Sequence, residues 1–207
     1  KRVLVAEGVS SDQKNVIHVE DVARCDGTQC TVEMEGMECV LTNPLFLLPP
    51  YRVPLMLAAA AAMILHVSPA PLDYFTALPG RMSLSRENGV IIIDNASSGT
   101  NVATTLCAAR YARHCARAGD LTLVIGQAEG DGAVCEGFSF SQIADAIDKV
   151  RPTRIVWVGR FPAPGNDPYE LFGGKVEAVC TTLEEGRDTA VRITGKGSIV
   201  LSVKTWR

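Results

Sequence analysis

The chain has 207 residues, 47% of them hydrophobic, and a formal net charge of -3. That is enough apolar material for one or two packed domains, and the slight acidic excess argues against a nucleic-acid partner, which calls for a basic surface. Lys1 and Arg2 lead straight into VLVA with no secretory signal and no initiator Met, which fits a piece cut from a longer chain and equally a start trimmed for expression; a cytoplasmic protein is expected.

Residues 1 to about 48 read as short strands and turns. VLVAE, NVIHVED, TQCTVEME and MECVLTN cluster or alternate apolar residues, with CDGT and EGME as turn signals. TVEME and ECVLT, separated by Gly36, predict a hairpin. Pro49, Pro50 and Pro54 mark the entry to a helix, because proline is tolerated in a first turn. The helix continues through VPLMLAAAAAMIL, Val53 to Leu65, whose Ala, Leu and Met are strong helix formers. Bounded by Arg52 and His66, this run falls short of the roughly 20 residues that cross a bilayer. It reads as a buried helix, and no membrane partner is expected. Residues 66–80 hold three prolines and are the expected domain edge, although LDYFTAL can form one or two helical turns. The predicted domains are therefore 1–80 and 81–207.

From Gly89 the pattern becomes regular. VIIID is a strand, NVATTLCAARYARHCARAG a helix, LTLVIG a strand, and SFSQIADAIDKV a helix capped by Ser139 or Ser141. RIVWVG and KVEAVC are strands, LEEGRDTAVRIT a helix, and SIVLSVKTW a last strand. Apolar strands alternating with helices predict an α/β fold, a doubly wound, mostly parallel sheet with helices on both faces. Ligands of such sheets bind outside the carboxyl ends of the strands, which places 94–100, 126–131 and 159–167 on one candidate edge.

At that edge Asp94 ends a strand and Asn101 opens a helix. A carboxylate there can accept from ribose hydroxyls, while Ser97, Ser98, Thr100 and loop N–H groups can receive phosphate oxygens. Helix capping by Thr100 or Asn101, with Gly99 in the turn, accounts for the same residues. Arg81, after Pro79-Gly80, is either a phosphate or ribose contact or a solvated arginine. Arg110, Arg113, His114 and Arg117 form a basic stripe that suits an anionic partner or a solvated helix end. The loop GQAEGDGAVCEG, with Glu129, Asp131 and Glu136, can contact substrate or metal, or be a plain surface loop.

TGKGS is not a Walker A loop, since no glycine stands five residues before its Gly-Lys. GxSxG, HExxH and GxGxxG are absent, and no complete catalytic set is present. The missing GxGxxG also argues against a dinucleotide-dependent enzyme. Seven cysteines form no CxxC pair and no zinc spacing, and the three histidines do not pair at ligand spacing. Buried, reduced thiols are the expectation, and no metal ligands are assigned.

LPGRM (78–82), IIID (91–94) and TNVATTLCAA (100–109) resemble the Mur ligase family, three-domain ATP-dependent ligases with a GR-containing hinge before a Rossmann-like C-terminal domain. The D-glutamate-adding branch is similar: its Asp-Ser-Lys-Ala-Thr-Asn motif corresponds to DNASSGTN, two residues longer here. VIGQ (124–127) resembles that branch's Gly-rich turn, and residues 49–65 resemble the end of the family's central ATPase domain. The resemblance implies that ATP, with Mg2+ bridging its phosphates, phosphorylates a small-molecule carboxylate substrate, and that a nucleophile attacks the acyl phosphate. It makes Arg81 the hinge arginine approaching the nucleotide and Asp94 its ribose contact, with Thr100 and Asn101 lining the facing loop.

Three departures qualify the match. The family's Gly-Lys-Thr loop and its metal-binding Glu and His belong upstream of residue 1, so this chain by itself is expected to be inactive. The motif lysine is missing from DNASSGTN. The family's His-Asn pair before the alanine helix is Tyr51-Arg52 here. Divergent Mur-like ligases of methanogenic archaea close the carbocyclic ring of a nickel tetrapyrrole cofactor with a carbon nucleophile. The composition is compatible with that branch, and amide ligation stays open beside it. The alternative from another class is a non-catalytic nucleotide-binding or interaction domain on the same kind of sheet.

Overall fold

A computed structural model describes residues 3–6, 15–116, 119–128, 137–160 and 168–206. Its contacts divide the chain into two units, Lys1–Thr76 and Ala77–Arg207.

In the first unit, β1 (Val3–Val5) pairs in parallel with β2 (Val16–His18). The segment NVIHVED, expected as one strand, changes form at Val19 and becomes the short helix α1 (Val19–Val22). Valines at 16, 19 and 22 have helical rather than alternating spacing. Next come β3 (Ala23–Asp26), β4 (Gln29–Met34) and β5 (Met37–Thr42), an antiparallel sheet in that order. The expected β4–β5 hairpin turns through Glu35 and Gly36, both at positive φ, the backbone that two-residue hairpins require. A 3-10 turn (Pro44–Leu47) leads into α2 (Pro49–Ile64), which begins on Pro49. It buries Leu55, Met56, Ala59, Ala60 and Met63 and packs against β4. Buried Asn43 ties down the connection that follows, its Nδ2 donating to the carbonyls of Leu72 (2.7 Å) and Phe75 (2.9 Å).

The second unit opens with β6 (Ser83–Glu87) and β7 (Val90–Asp94), an antiparallel pair. Then follow α3 (Val102–Ala116), β8 (Asp120–Gln127), α4 (Phe140–Val150) and β9 (Arg154–Val158). The chain continues through α5 (Pro168–Leu171), β10 (Val176–Cys180), α6 (Leu183–Ile193) and β11 (Gly197–Lys204). The six strands lie in the order β10-β9-β8-β11-β7-β6, and every pairing except β6–β7 is parallel. This is the expected α/β architecture, with one element that the periodicity missed. β6 lay in the assumed hinge, and its signal was Asn88-Gly89, both at positive φ, the dipeptide of a tight hairpin.

Strand alternation sorts the two faces. Ile199, Leu201 and Val203 of β11 join Val90, Ile92, Val124, Val156 and Val158 in an aliphatic cluster with Ala190 of α6. On the other face Ser202 meets Thr105 of α3, and α3 packs against α4. Ser139 caps α4 and Thr182 caps α6, each in a reciprocal capping box.

Candidate functional site

The parallel strands β7, β8, β9, β10 and β11 end on one edge, at Asp94, Gln127, Val158, Cys180 and Lys204. There the segment LPGRM forms a tight turn, closed by the Arg81 N–H donating to the Leu78 carbonyl at 2.9 Å. Proline second and a positive-φ glycine third suit a type II turn. Gly80 is the residue this position demands. A methyl group on it would stand 2.4 Å from the Ala96 carbonyl oxygen, far inside contact distance.

Asp94 joins that turn to the loop beyond β7. Its Oδ2 accepts the Gly80 N–H at 3.1 Å and its Oδ1 the Ala96 N–H at 3.0 Å. Arg81 is exposed, and its Nη1 lies 3.3 Å from where a Cβ on Gly99 would be, so the guanidinium rests over the loop. Ser97 is buried and Ser98 half-buried beside it. Arg81, Asp94, Ser97 and Ser98 thus come together in space.

Thr100 and Asn101 are committed to shaping the loop. Thr100 is fully buried; its hydroxyl donates to the Asn95 carbonyl at 2.6 Å and accepts the Ser97 N–H at 3.1 Å. The Asn101 side chain accepts the Thr104 N–H at 3.0 Å and donates to the Gly99 carbonyl at 3.2 Å, as a helix cap does.

Beneath the loop is a polar network that sequence reasoning missed. Buried Asn95 donates through Nδ2 to Thr104 Oγ1 and Ser202 Oγ, both at 3.2 Å. The Ser202 and Thr105 hydroxyls bond to each other, and Thr105 also donates to the Asn101 carbonyl at 2.7 Å. Asn95 stood in the quoted motif next to Asp94, but Ser202 is more than 100 residues away (|i−j| = 107) and has no local signal.

Other sequence candidates go elsewhere. Arg113 donates to the Val150 carbonyl at 2.6 Å and so caps the end of α4, while Arg117 lies outside the described residues. In the first unit Arg52 donates through Nε to the Phe46 carbonyl at 2.9 Å, and the Tyr51 ring lies 6.4 Å from that of Phe75. The Thr194 hydroxyl, in TGKGS, donates to the Ala190 carbonyl at 2.6 Å and is hydrogen-bonded to the Thr122 hydroxyl at 2.8 Å. That segment borders a cleft of about 700 Å³ at the amino ends of β7 and β11, lined by Arg86, Asn88, Cys115 and Lys196 among others. Gly126 and Gln127 reach the carboxyl edge, and Gln127 Oε1 accepts the Phe138 N–H at 3.0 Å. Glu129, Asp131 and Glu136 lie outside the described residues, as do 161–167.

The six described cysteines are free; Cys135 lies outside the described residues. Burial pushes the thiols of Cys25, Cys30, Cys39, Cys107 and Cys115 up, which keeps them protonated at neutral pH. Among the described residues no group of three or more His, Cys, Asp or Glu can hold a metal, and no helix is long and apolar enough to cross a membrane.

The edge therefore brings together the Arg81 guanidinium, the Asp94 carboxylate, the half-buried Ser98 and the N-terminus of α3.

Comparison with known proteins gives the fold its family. The family model for the C-terminal domain of coenzyme F430 synthetase CfbE matches residues 84–205. A coenzyme F(430) synthetase of Methanosarcina acetivorans is 29% identical over 167 residues, covering 76% of this chain and 34% of that protein. A UDP-N-acetylmuramoylalanyl-D-glutamyl-2,6-diaminopimelate--D-alanyl-D-alanyl ligase of Acinetobacter baumannii shares the fold. Its TM-score is 0.56 at 18% identity, covering 89% of this chain and 40% of that one. FolC of E. coli, solved with DHPP and ADP, has a TM-score of 0.55 at 17% identity, covering 88% and 42%. The chain thus spans well under half the length of each of these proteins. With its larger unit under that family model and its mostly parallel sheet shared with Mur-type ligases, the chain belongs to the coenzyme F430 synthetase family, whose C-terminal domain corresponds to residues 84–205.

Proposed function

We propose that the chain is the C-terminal portion of an ATP-dependent ligase that activates a substrate carboxylate for ring closure by a carbon nucleophile, in the making of a nickel tetrapyrrole cofactor. In this reading residues 1–80 are the end of a Mur-type central domain and 81–207 its C-terminal domain. The carrying observation is the turn clamped to the loop: Gly80 held by Asp94, with Arg81 laid over Gly99, in the segment that resembles the GR hinge. The coenzyme F430 synthetase match directs the reading toward ring closure rather than amide ligation.

Bound ATP, with its Mg2+, supplies the phosphoryl group that turns the carboxylate into an acyl phosphate. Asp94 is oriented by two backbone N–H donors and receives ribose hydroxyls. Arg81 holds phosphate charge, and Ser97 and Ser98 offer hydroxyls at the start of α3. Thr100 and Asn101 fix the loop from within. The phosphate loop of the family is not in this chain, so the 207-residue chain alone is expected to release no phosphate from ATP.

The test uses the full-length protein with a panel of tetrapyrrole acids and hydroxylamine as an acyl-phosphate trap. Phosphate release that depends on the acid, with hydroxamate formed, supports carboxylate activation; release that ignores every acid sinks it. A product lighter than the acid by one water identifies ring closure, and an incorporated amine identifies amide ligation. Arg81→Ala and Asp94→Ala should each lower kcat/KM for ATP about tenfold or more, the scale of a lost charge-assisted hydrogen bond. Unchanged kinetics would remove that residue from the site.

A further inference from the structure

Cys25 of β3 and Cys30 of β4 stand directly opposite each other in the antiparallel pairing. The turn between the strands has two residues, Gly27 and Thr28, and Asp26 pairs with Gln29 across it. A pair that flanks a two-residue turn exchanges both backbone hydrogen bonds, so the next pair out, Cys25 and Cys30, is of the non-hydrogen-bonded kind. At such positions opposed Cα atoms come to about 4.5 Å and side chains lie closest, within the span that a disulfide bridges. The two thiols are hydrogen-bonded to each other, and both are free.

Their surroundings divide the roles. Cys30 is wholly buried, on the face of β4 that also buries Val32 and Met34, whereas Cys25 is half-buried, so a small reagent reaches Cys25 first. Burial pushes both thiols up, the bond between them lowers Cys25 and raises Cys30, and the Arg52 guanidinium of α2 lowers both. Cys30 is therefore the donor in the S–H···S bond, and Cys25 the sulfur that more readily carries thiolate. The loop that a bond between them closes is very short, so the bond adds little stability of its own and opens again with a reductant.

We propose that Cys25 and Cys30 are a reversible redox pair, closed to an intramolecular disulfide across the β3–β4 hairpin by an oxidised low-molecular-weight disulfide. The Cys25 thiolate, its proton lost to water, attacks one sulfur of the reagent. A bond from Cys25 to that sulfur forms, the reagent's own S–S bond breaks, and a small thiolate leaves. The Cys30 thiol then gives up its proton and attacks the Cys25 sulfur, expelling the second small thiolate. Two electrons pass from the protein to the reagent, which ends as two thiols once both protons are taken up. The pair belongs to the first unit and reacts without ATP or any tetrapyrrole acid, so its failure and the failure of the ligase reading are distinguishable.

The experiment treats the full-length protein, folded and reduced, with hydroxyethyl disulfide, then quenches with acid, unfolds it and alkylates the remaining thiols. Cleavage at glutamates places Cys25 and Cys30 in one peptide, 21–33, with no other cysteine. The expected result is that this peptide loses two hydrogens and takes no alkyl group, and that dithiothreitol restores both thiols. Closure should need about tenfold less reagent than modification of any other cysteine, because its second step is intramolecular. Cys30→Ala should instead hold the reagent as a mixed disulfide on Cys25, with Cys30→Ser in its place if the alanine variant does not fold. Cys25→Ala should leave Cys30 unmodified. The proposal is overturned if the wild-type peptide stays fully alkylated at reagent concentrations where other cysteines react. It is also overturned if the Cys30 variant takes no reagent on Cys25, or if Cys30 closes with Cys39 instead.

Discussion

On the α6 side β11 presents Ile199, Leu201 and Val203; on the α3 side it presents Ser198, Ser202 and Lys204, with Val200 between them. All seven are buried. The aliphatic side gains from area removed from water, which has no direction and accepts many shapes. The hydroxyl side gains from bonds whose partners must be in place, and those partners are Asn95 and Thr105, at the loop that carries Asp94. One strand therefore holds the sheet together with one face and shapes the candidate site with the other. Stability and site geometry should be separable by mutation.

The largest effect belongs to the aliphatic side. Leu201→Ala should lower stability by about 2–5 kcal/mol in urea unfolding, while nucleotide affinity of the full-length protein, measured well below Tm, stays near wild type. A large affinity loss in the folded variant would break the separation. Gly80→Ala comes next and acts at the rim of the polar side. It puts a side chain at positive φ, costing about 1–3 kcal/mol, and against the Ala96 carbonyl. The turn must move, so nucleotide affinity should fall more than tenfold; a variant with normal affinity would show that the clamped turn is not needed. The smallest loss is expected at Ser202→Ala, about 1–2 kcal/mol, because Asn95 and Thr105 are left short of a partner. Adding Thr105→Val should cost less than the sum of the two single changes, since both ends of one hydrogen bond are then removed. Strict additivity in that cycle would mean that the network is not coupled.

Much of the second unit was legible because its strands and helices are long relative to their pattern. VIIID, LTLVIG and RIVWVG are apolar runs that only a sheet covered on both faces accepts, and Ser139 announced the cap of α4. β6 was not legible from hydrophobicity, since SLSRE has a single apolar residue. Asn88-Gly89 carried the signal instead. The site divides in the same way. Gly80, Arg81 and Asp94 stand in short motifs that can be read locally. The burial of Thr100 depends on Asn95 and Ser97 folding back over it, and Ser202 is brought there only by the pairing of β11 with β7.

β6 also has a consequence for how this protein can be handled. It covers the outer side of β7, whose Val90–Ile93 run is fully apolar, and it leaves Leu84, Ser85 and Arg86 exposed. Glu87 is anchored by Arg187 of α6. A chain begun at Gly89 would retain the whole parallel sheet yet bare a flat, isoleucine-rich margin with free N–H and C=O groups, the kind of surface that recruits a second copy strand to strand. Losing those five mostly polar residues should therefore show as self-association of the shortened chain, visible by light scattering.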